Sequence, residues 1–129
     1  MINRRNLLAA AAVLAFAPLP AFAIGETEFT MEAFKAAQKD GKSILVDVWA
    51  SWCPTCKAQG PILKGYLARP ENKDVVFLRV NFDTQLDVLK AFKVQSQSTL
   101  IMFKGDKEVA RSVGDTVPGS IGQLISAGV

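Results

Sequence analysis

The 129-residue chain has no histidine, which removes Ser-His-Asp and Cys-His catalysis and any His-ligated metal site. Cysteine occurs only twice, at positions 53 and 56. A long run of one charge is also missing. Fifteen Lys and Arg stand against 12 Asp and Glu, a formal net charge of +3. Arg4 and Arg5 fall within the first six residues, and without them the balance is 13 to 12. No basic run or aromatic–basic interleaving follows, so the electrostatic footprint of a nucleic-acid partner is absent. What is abundant is apolar: half the residues are hydrophobic, with eight Phe and two Trp, which excludes a disordered chain. This length suits one domain with an appendage. Whatever chemistry the chain performs falls mainly on Cys53 and Cys56.

The first 23 residues have the order of a secretory signal peptide. Arg4 and Arg5 form a basic n-region, Leu7 to Phe16 is an unbroken apolar stretch, and Pro18 and Pro20 precede the small-x-small triplet Ala21-Phe22-Ala23. Cleavage is expected after Ala23, leaving a single domain over 24–129. Leu7 to Ile24 carries no charge, so an uncleaved membrane anchor is the alternative. Arg4-Arg5 followed by Asn6-Leu7-Leu8 partly resembles a twin-arginine export signal. Either export route ends outside the cytoplasm, in the periplasm, where disulfide chemistry is possible.

The remainder alternates between helical and strand patterns. Thr30 is the expected N-cap of a helix over 31–39 that ends at Gly41. Ser43 to Trp49 (SILVDVW) is nearly continuously apolar and β-branched, the pattern of a strand buried on both faces. A helix follows the cysteines, with Ile62/Tyr66 and Leu63/Leu67 at i,i+4, and Pro61 is expected to bend or split it. A second buried strand is predicted over Val75 to Val80, and a short helix through Leu86, Leu89 and Phe92. Two strands, Thr99 to Phe103 and Glu108 to Val113, are joined as a hairpin by Lys104-Gly105-Asp106-Lys107. The second of them is less apolar and nearer an edge. Pro118 opens a last helix with Ile121, Leu124 and Ile125 on one face. The order αβαβαββα predicts an α/β domain, a mixed β-sheet flanked by helices on both faces.

The cysteines lie where a buried strand gives way to a helix, in Trp49-Ala50-Ser51-Trp52-Cys53-Pro54-Thr55-Cys56-Lys57. Residues i and i+3 of one helical turn have Cα atoms about 5–6 Å apart, a separation that a disulfide accepts. Cys53 at the helix N-terminus faces unpaired N–H groups and the positive end of the dipole, both of which favour a thiolate. Pro54 in the first turn sacrifices no hydrogen bond and stiffens the pair. Cys53 is expected to be the more exposed nucleophile, and Cys56, a turn deeper, the resolving thiol. Two other uses remain open. Half a zinc site would need a second chain to complete four ligands. An inert structural bridge would close so short a loop that it removes little chain entropy.

The segment W-A-x-W-C-x-x-C-K after an apolar strand resembles the thioredoxin family, and the likeness extends over about Thr30 to Val113. It implies a thioredoxin-like fold and a redox-active Cys53–Cys56 disulfide that needs no cofactor or metal. Trp49, Trp52, Pro54, Thr55 and Lys57 take the family's active-site positions. The resemblance also gives Asp47, two residues before the first Trp, the part of a buried acid that assists proton transfer at the deeper cysteine. Asp47 is conspicuous unaided, because a lone carboxylate in an apolar strand is costly unless it is hydrogen-bonded or protonated. The alternative is a structural acid satisfied by backbone or water. Where the family has Lys on the next strand, this chain has Arg79, which either holds Asp47 ionised or reaches solvent from the sheet edge. The family's cis-proline is replaced by Ser98 in Gln97-Ser98-Thr99-Leu100. A cis bond before a non-proline costs about 2.5–4 kcal/mol, so a trans peptide and a rearranged loop are expected. The Ser98 hydroxyl either donates to a cysteine sulfur or faces solvent.

Cys-Pro-Thr-Cys has no His between the sulfurs, unlike the strong oxidases, and resembles exported thioredoxin-like reductases. The leading expectation is a monomeric, periplasmic thiol–disulfide oxidoreductase that reduces disulfides of exported proteins and is re-reduced by a membrane thiol-reductase. No insert of the dedicated cytochrome-maturation type follows Lys57, so a general reductase is expected. A weak oxidase or isomerase, or a dithiol that holds a metal or an iron–sulfur cluster, are the alternatives.

Overall fold

A computed structural model describes residues 27–129. The expected signal segment lies outside them. In chain order the elements are strand β1 (Thr27–Glu28), helix α1 (Met31–Lys39), β2 (Ser43–Trp49), α2 (Pro54–Leu67), β3 (Val76–Asn81), α3 (Leu86–Ala91), β4 (Thr99–Lys104), β5 (Lys107–Val113) and α4 (Pro118–Ser126). The strands form one five-stranded mixed sheet in the order β1-β3-β2-β4-β5. β2 pairs parallel with β3 and antiparallel with β4, so the most apolar strand sits at the centre with both its edges hydrogen-bonded.

Side-chain alternation along β2 divides the core in two. Ile44, Val46 and Val48 face α1 and α3, in a layer with Phe34, Leu78, Leu89, Ile101 and Phe103. Leu45 faces α2 and α4, in a layer with Leu63, Leu100, Met102, Ile121, Leu124 and Ile125. Helices therefore cover both faces, as the element order predicts. The Thr30 hydroxyl accepts the Ala33 N–H and caps α1, and Gly41 takes a φ of 67° just past its end. β5 lies at the sheet edge, and Gly105 supplies the positive φ (57°) of the β4–β5 turn.

Three expectations are corrected. α2 runs unbroken through Pro61 rather than splitting, since proline costs the helix one N–H bond while Leu63 beyond it stays anchored in the core. β3 begins one residue later than expected and ends at Asn81. β1 and a 3₁₀ turn over Pro70–Asn72 were not predicted; β1 has two residues and exists by pairing with Leu78 and Arg79 of β3.

Candidate active site

β2 delivers the chain to the site and α2 carries it away. After Trp49 a tight turn returns the Cys53 N–H to the Ala50 carbonyl, and Pro54 starts the helix. Cys53 is the N-cap, with an extended backbone, and its sulfur accepts the Cys56 N–H at 3.1 Å. Cys56 follows at N3, and the two form a disulfide with Cα atoms 5.3 Å apart, within the separation expected from helix geometry. The sulfur thus takes up one of the orphan N–H groups of its own helix.

Burial of the two cysteines reverses the expectation. Cys53 is 1% exposed and Cys56 7%. The Cys53 sulfur caps the helix end and lies against the Ser98 hydroxyl, within a small cluster of Ala50, Cys53 and Cys56 that Trp49 and Phe82 pack against. Cys56, in the same cluster, also borders an open groove of about 520 Å³, lined by Trp49, Ser51, Lys57, Lys64 and Arg79 among others. Pro54 and Lys57 are exposed and Thr55 is half-buried.

Ser98 belongs to the site. Its backbone has a φ of 66°, no peptide among the described residues is cis, and the residue is 3% exposed. The hydroxyl lies 3.1 Å from the Cys53 sulfur and 3.2 Å from that of Cys56, which rules out the solvent-facing alternative. The Ser98 N–H donates to the Val48 carbonyl at 2.7 Å, and its own carbonyl accepts from Gly114 N–H and Gln59 Nε2.

Asp47 is buried (4% exposed) on the face of β2 that looks towards α2 and α4. It pairs in register with Arg79, whose Nε donates to Asp47 Oδ2 at 3.3 Å. The Arg79 guanidinium also lies 4.3 Å from the centre of the Trp49 ring, so the side chain turns inward across the sheet rather than out from its edge. Trp52 is exposed, and its indole Nε1 donates to both carboxylate oxygens of Asp83, at 3.1 and 2.9 Å. Its ring meets Phe82 edge-on.

Gln59 and Asp83 belong to the site although neither stands out in the sequence. Gln59 is 1% exposed, and its amide joins α2 to the Ser98 carbonyl and, at 2.8 Å, to that of Asp115. Its spacing carried a signal, because 56, 59 and 63 mark one buried helical stripe with a polar residue in its middle. Asp83 reads as an ordinary turn residue and carried none. Among the described residues no group of three or more Cys, Asp or Glu gathers as a metal-ligand set.

A mixed sheet that presents a C-x-x-C disulfide at a helix N-terminus, at the end of its central strand, defines a class, the thiol–disulfide oxidoreductases. Comparison gives the family: the thioredoxin family model matches residues 26–127, and the chain belongs to the thioredoxin family. The thioredoxin of Mycoplasma pneumoniae is 36% identical over 83 residues, which span 64% of this chain and 79% of that protein. Thioredoxin-1 of Saccharomyces cerevisiae is 34% identical over 102 residues, 78% of this chain and 96% of its own. The crystal structure of Trxlp from Edwardsiella tarda superposes with a TM-score of 0.76 at 41% identity, covering 78% of this chain and 97% of that one. The protein is accordingly a protein-disulfide reductase of the thioredoxin type that works through its C-x-x-C pair.

Proposed function

We propose that this thioredoxin-type enzyme is exported and reduces disulfides of exported proteins. The observation that carries the chemical part is the Cys56 N–H directed at the Cys53 sulfur from the first turn of α2. That donor and the helix terminus favour charge on Cys53 over charge on Cys56, which has no such cap. Cys53 thiolate attacks the substrate disulfide, and Cys56 then resolves the mixed disulfide. The proton of Cys56 leaves on the α2 side of the sheet, where Asp47 is held by Arg79. Trp52, fixed by Asp83, offers exposed aromatic surface beside the sulfurs for a bound polypeptide. Export is supported by the basic, apolar and small-x-small order of residues 1–23. Outside the cytoplasm nicotinamide cofactors are absent, so re-reduction falls to a membrane thiol-reductase.

The reduction potential of the Cys53–Cys56 couple in the full chain tests this reading, by equilibration with glutathione and dithiothreitol after metal analysis. A value of roughly −270 mV is expected for a reductant that must be fed electrons. A value near −120 mV would lie about 7 kcal/mol the other way and make the protein an oxidant. A protein that forms no disulfide and carries metal would be a dithiol binding module instead.

A further inference from the structure

We propose that the Ser98 hydroxyl is a catalytic hydrogen-bond donor shared by the two sulfurs, and that it stabilises the reduced, thiolate form of this dithiol. The inference rests on the reductase reading and concerns how that site carries its charge. The hydroxyl sits 3.1 and 3.2 Å from the two sulfurs, and among the described residues these are its hydrogen-bonding partners. A hydroxyl has one proton, so it serves one sulfur at a time and changes sulfur by a single rotation.

The backbone is built to hold the hydroxyl there. A φ of 66° is uncommon for a residue with a Cβ and persists only where the surroundings over-determine it. Here the Val48 carbonyl holds the Ser98 N–H, while the Gly114 N–H and the Gln59 amide hold its carbonyl. Gln59 lies on α2 itself, three residues after Cys56, so the helix that carries the sulfurs also positions their donor. Gln59 is a positioning residue in this arrangement. Burial of Ser98 to 3% exposure keeps bulk water from replacing the hydroxyl.

In the dithiol, Cys53 is a thiolate that accepts the Cys56 N–H and the Ser98 O–H. It attacks a substrate disulfide; the bond between the Cys53 sulfur and one substrate sulfur forms, the substrate S–S bond breaks, and the departing thiolate takes a proton from water. Cys56 releases its proton to water by way of the Asp47 side of the sheet, and Ser98 rotates to the new thiolate. Cys56 attacks the Cys53 sulfur; the Cys53–Cys56 bond forms, the bond between Cys53 and the remaining substrate sulfur breaks, and the second substrate thiolate leaves and takes a proton from water. Two electrons pass from the dithiol to the substrate, and Ser98 keeps its proton throughout.

The test compares the full chain with Ser98→Ala and Ser98→Gly, reading thiolate absorbance against pH and the equilibrium with glutathione, after circular dichroism of the oxidised forms has checked folding. A hydrogen bond to a charged partner is worth enough that both variants should titrate Cys53 about one pH unit higher and shift the equilibrium about tenfold towards the disulfide, about 30 mV. Unchanged midpoints and equilibria in both variants would overturn the proposal. So would a shift in Ala that Gly lacks, because Gly accepts a positive φ and that pattern assigns the effect to the backbone. If Ala does not fold, Gly decides alone. A wild-type potential near that of a strong oxidant would defeat the reductase reading, while the difference between the Ser98 variants would still decide the role of the hydroxyl.

Discussion

Arg79 has two jobs at once, and each explains why the sequence places an arginine on β3. Its Nε holds the buried Asp47 carboxylate while the plane of its guanidinium covers the Trp49 ring. Its side chain is 24% exposed and that of Asp47 5%, so the acid depends on the pair more than the base does. Replacing Arg79 by Leu removes a charge-assisted bond and a cation–π contact and leaves the carboxylate buried beside an apolar neighbour; a loss of about 2 kcal/mol is expected. Arg79→Lys, which keeps the charge but loses the planar fork, should cost less. Urea unfolding of the oxidised proteins measures both, and equal stability of wild type and Arg79→Leu would show that the pair contributes nothing. At this scale the sequence was only partly readable. Cys53, Cys56 and Asp47 announce themselves by type and spacing. The burial of Cys53 beneath Ser98 does not, because it depends on a contact between residues 45 positions apart.

Among the elements, α2 and α4 approach each other closely on the site side of the sheet. A Cβ built on Gly122 of α4 would lie 2.5 Å from the Tyr66 ring of α2, a ring already covered by the Arg69 guanidinium at 4.3 Å. Alanine normally improves a helix by about 1 kcal/mol over glycine, but overpacking costs about 1–3 kcal/mol, so Gly122→Ala is expected to lower stability. Gly119 lies in the same helix with open space around its Cβ position, and Gly119→Ala should raise stability by about 0.5 kcal/mol. Thermal unfolding of the two variants side by side checks the sign of each; a stabilised Gly122→Ala would mean that Tyr66 yields freely. Most elements were legible because their signals are local: the Thr30 cap, the apolar run of β2, the Gly105-Asp106 turn, Pro118 at the start of α4. β1 was not, since two residues carry no period and the strand exists through the edge of β3.

For the whole molecule, the family match covers residues 26–127, and the segment read as a signal, residues 1–23, lies outside it. If that segment is removed on export, the mature protein should start at Ile24, and N-terminal sequencing of periplasmic protein would show it. A start at Met1 in the membrane fraction would favour the anchor. The division of the core into two layers was readable from β2 alone, whereas the register that sets Arg79 beside Asp47 needed the assembled sheet. The Cys53 sulfur caps its own helix by accepting the Cys56 N–H. A thiolate accepts a hydrogen bond far more strongly than a disulfide sulfur, so each catalytic cycle tightens and slackens the first turn of α2. Exchange of the Cys56 amide proton with solvent should therefore slow when the protein is reduced and quicken when it is oxidised, making one backbone proton a running record of the electron count.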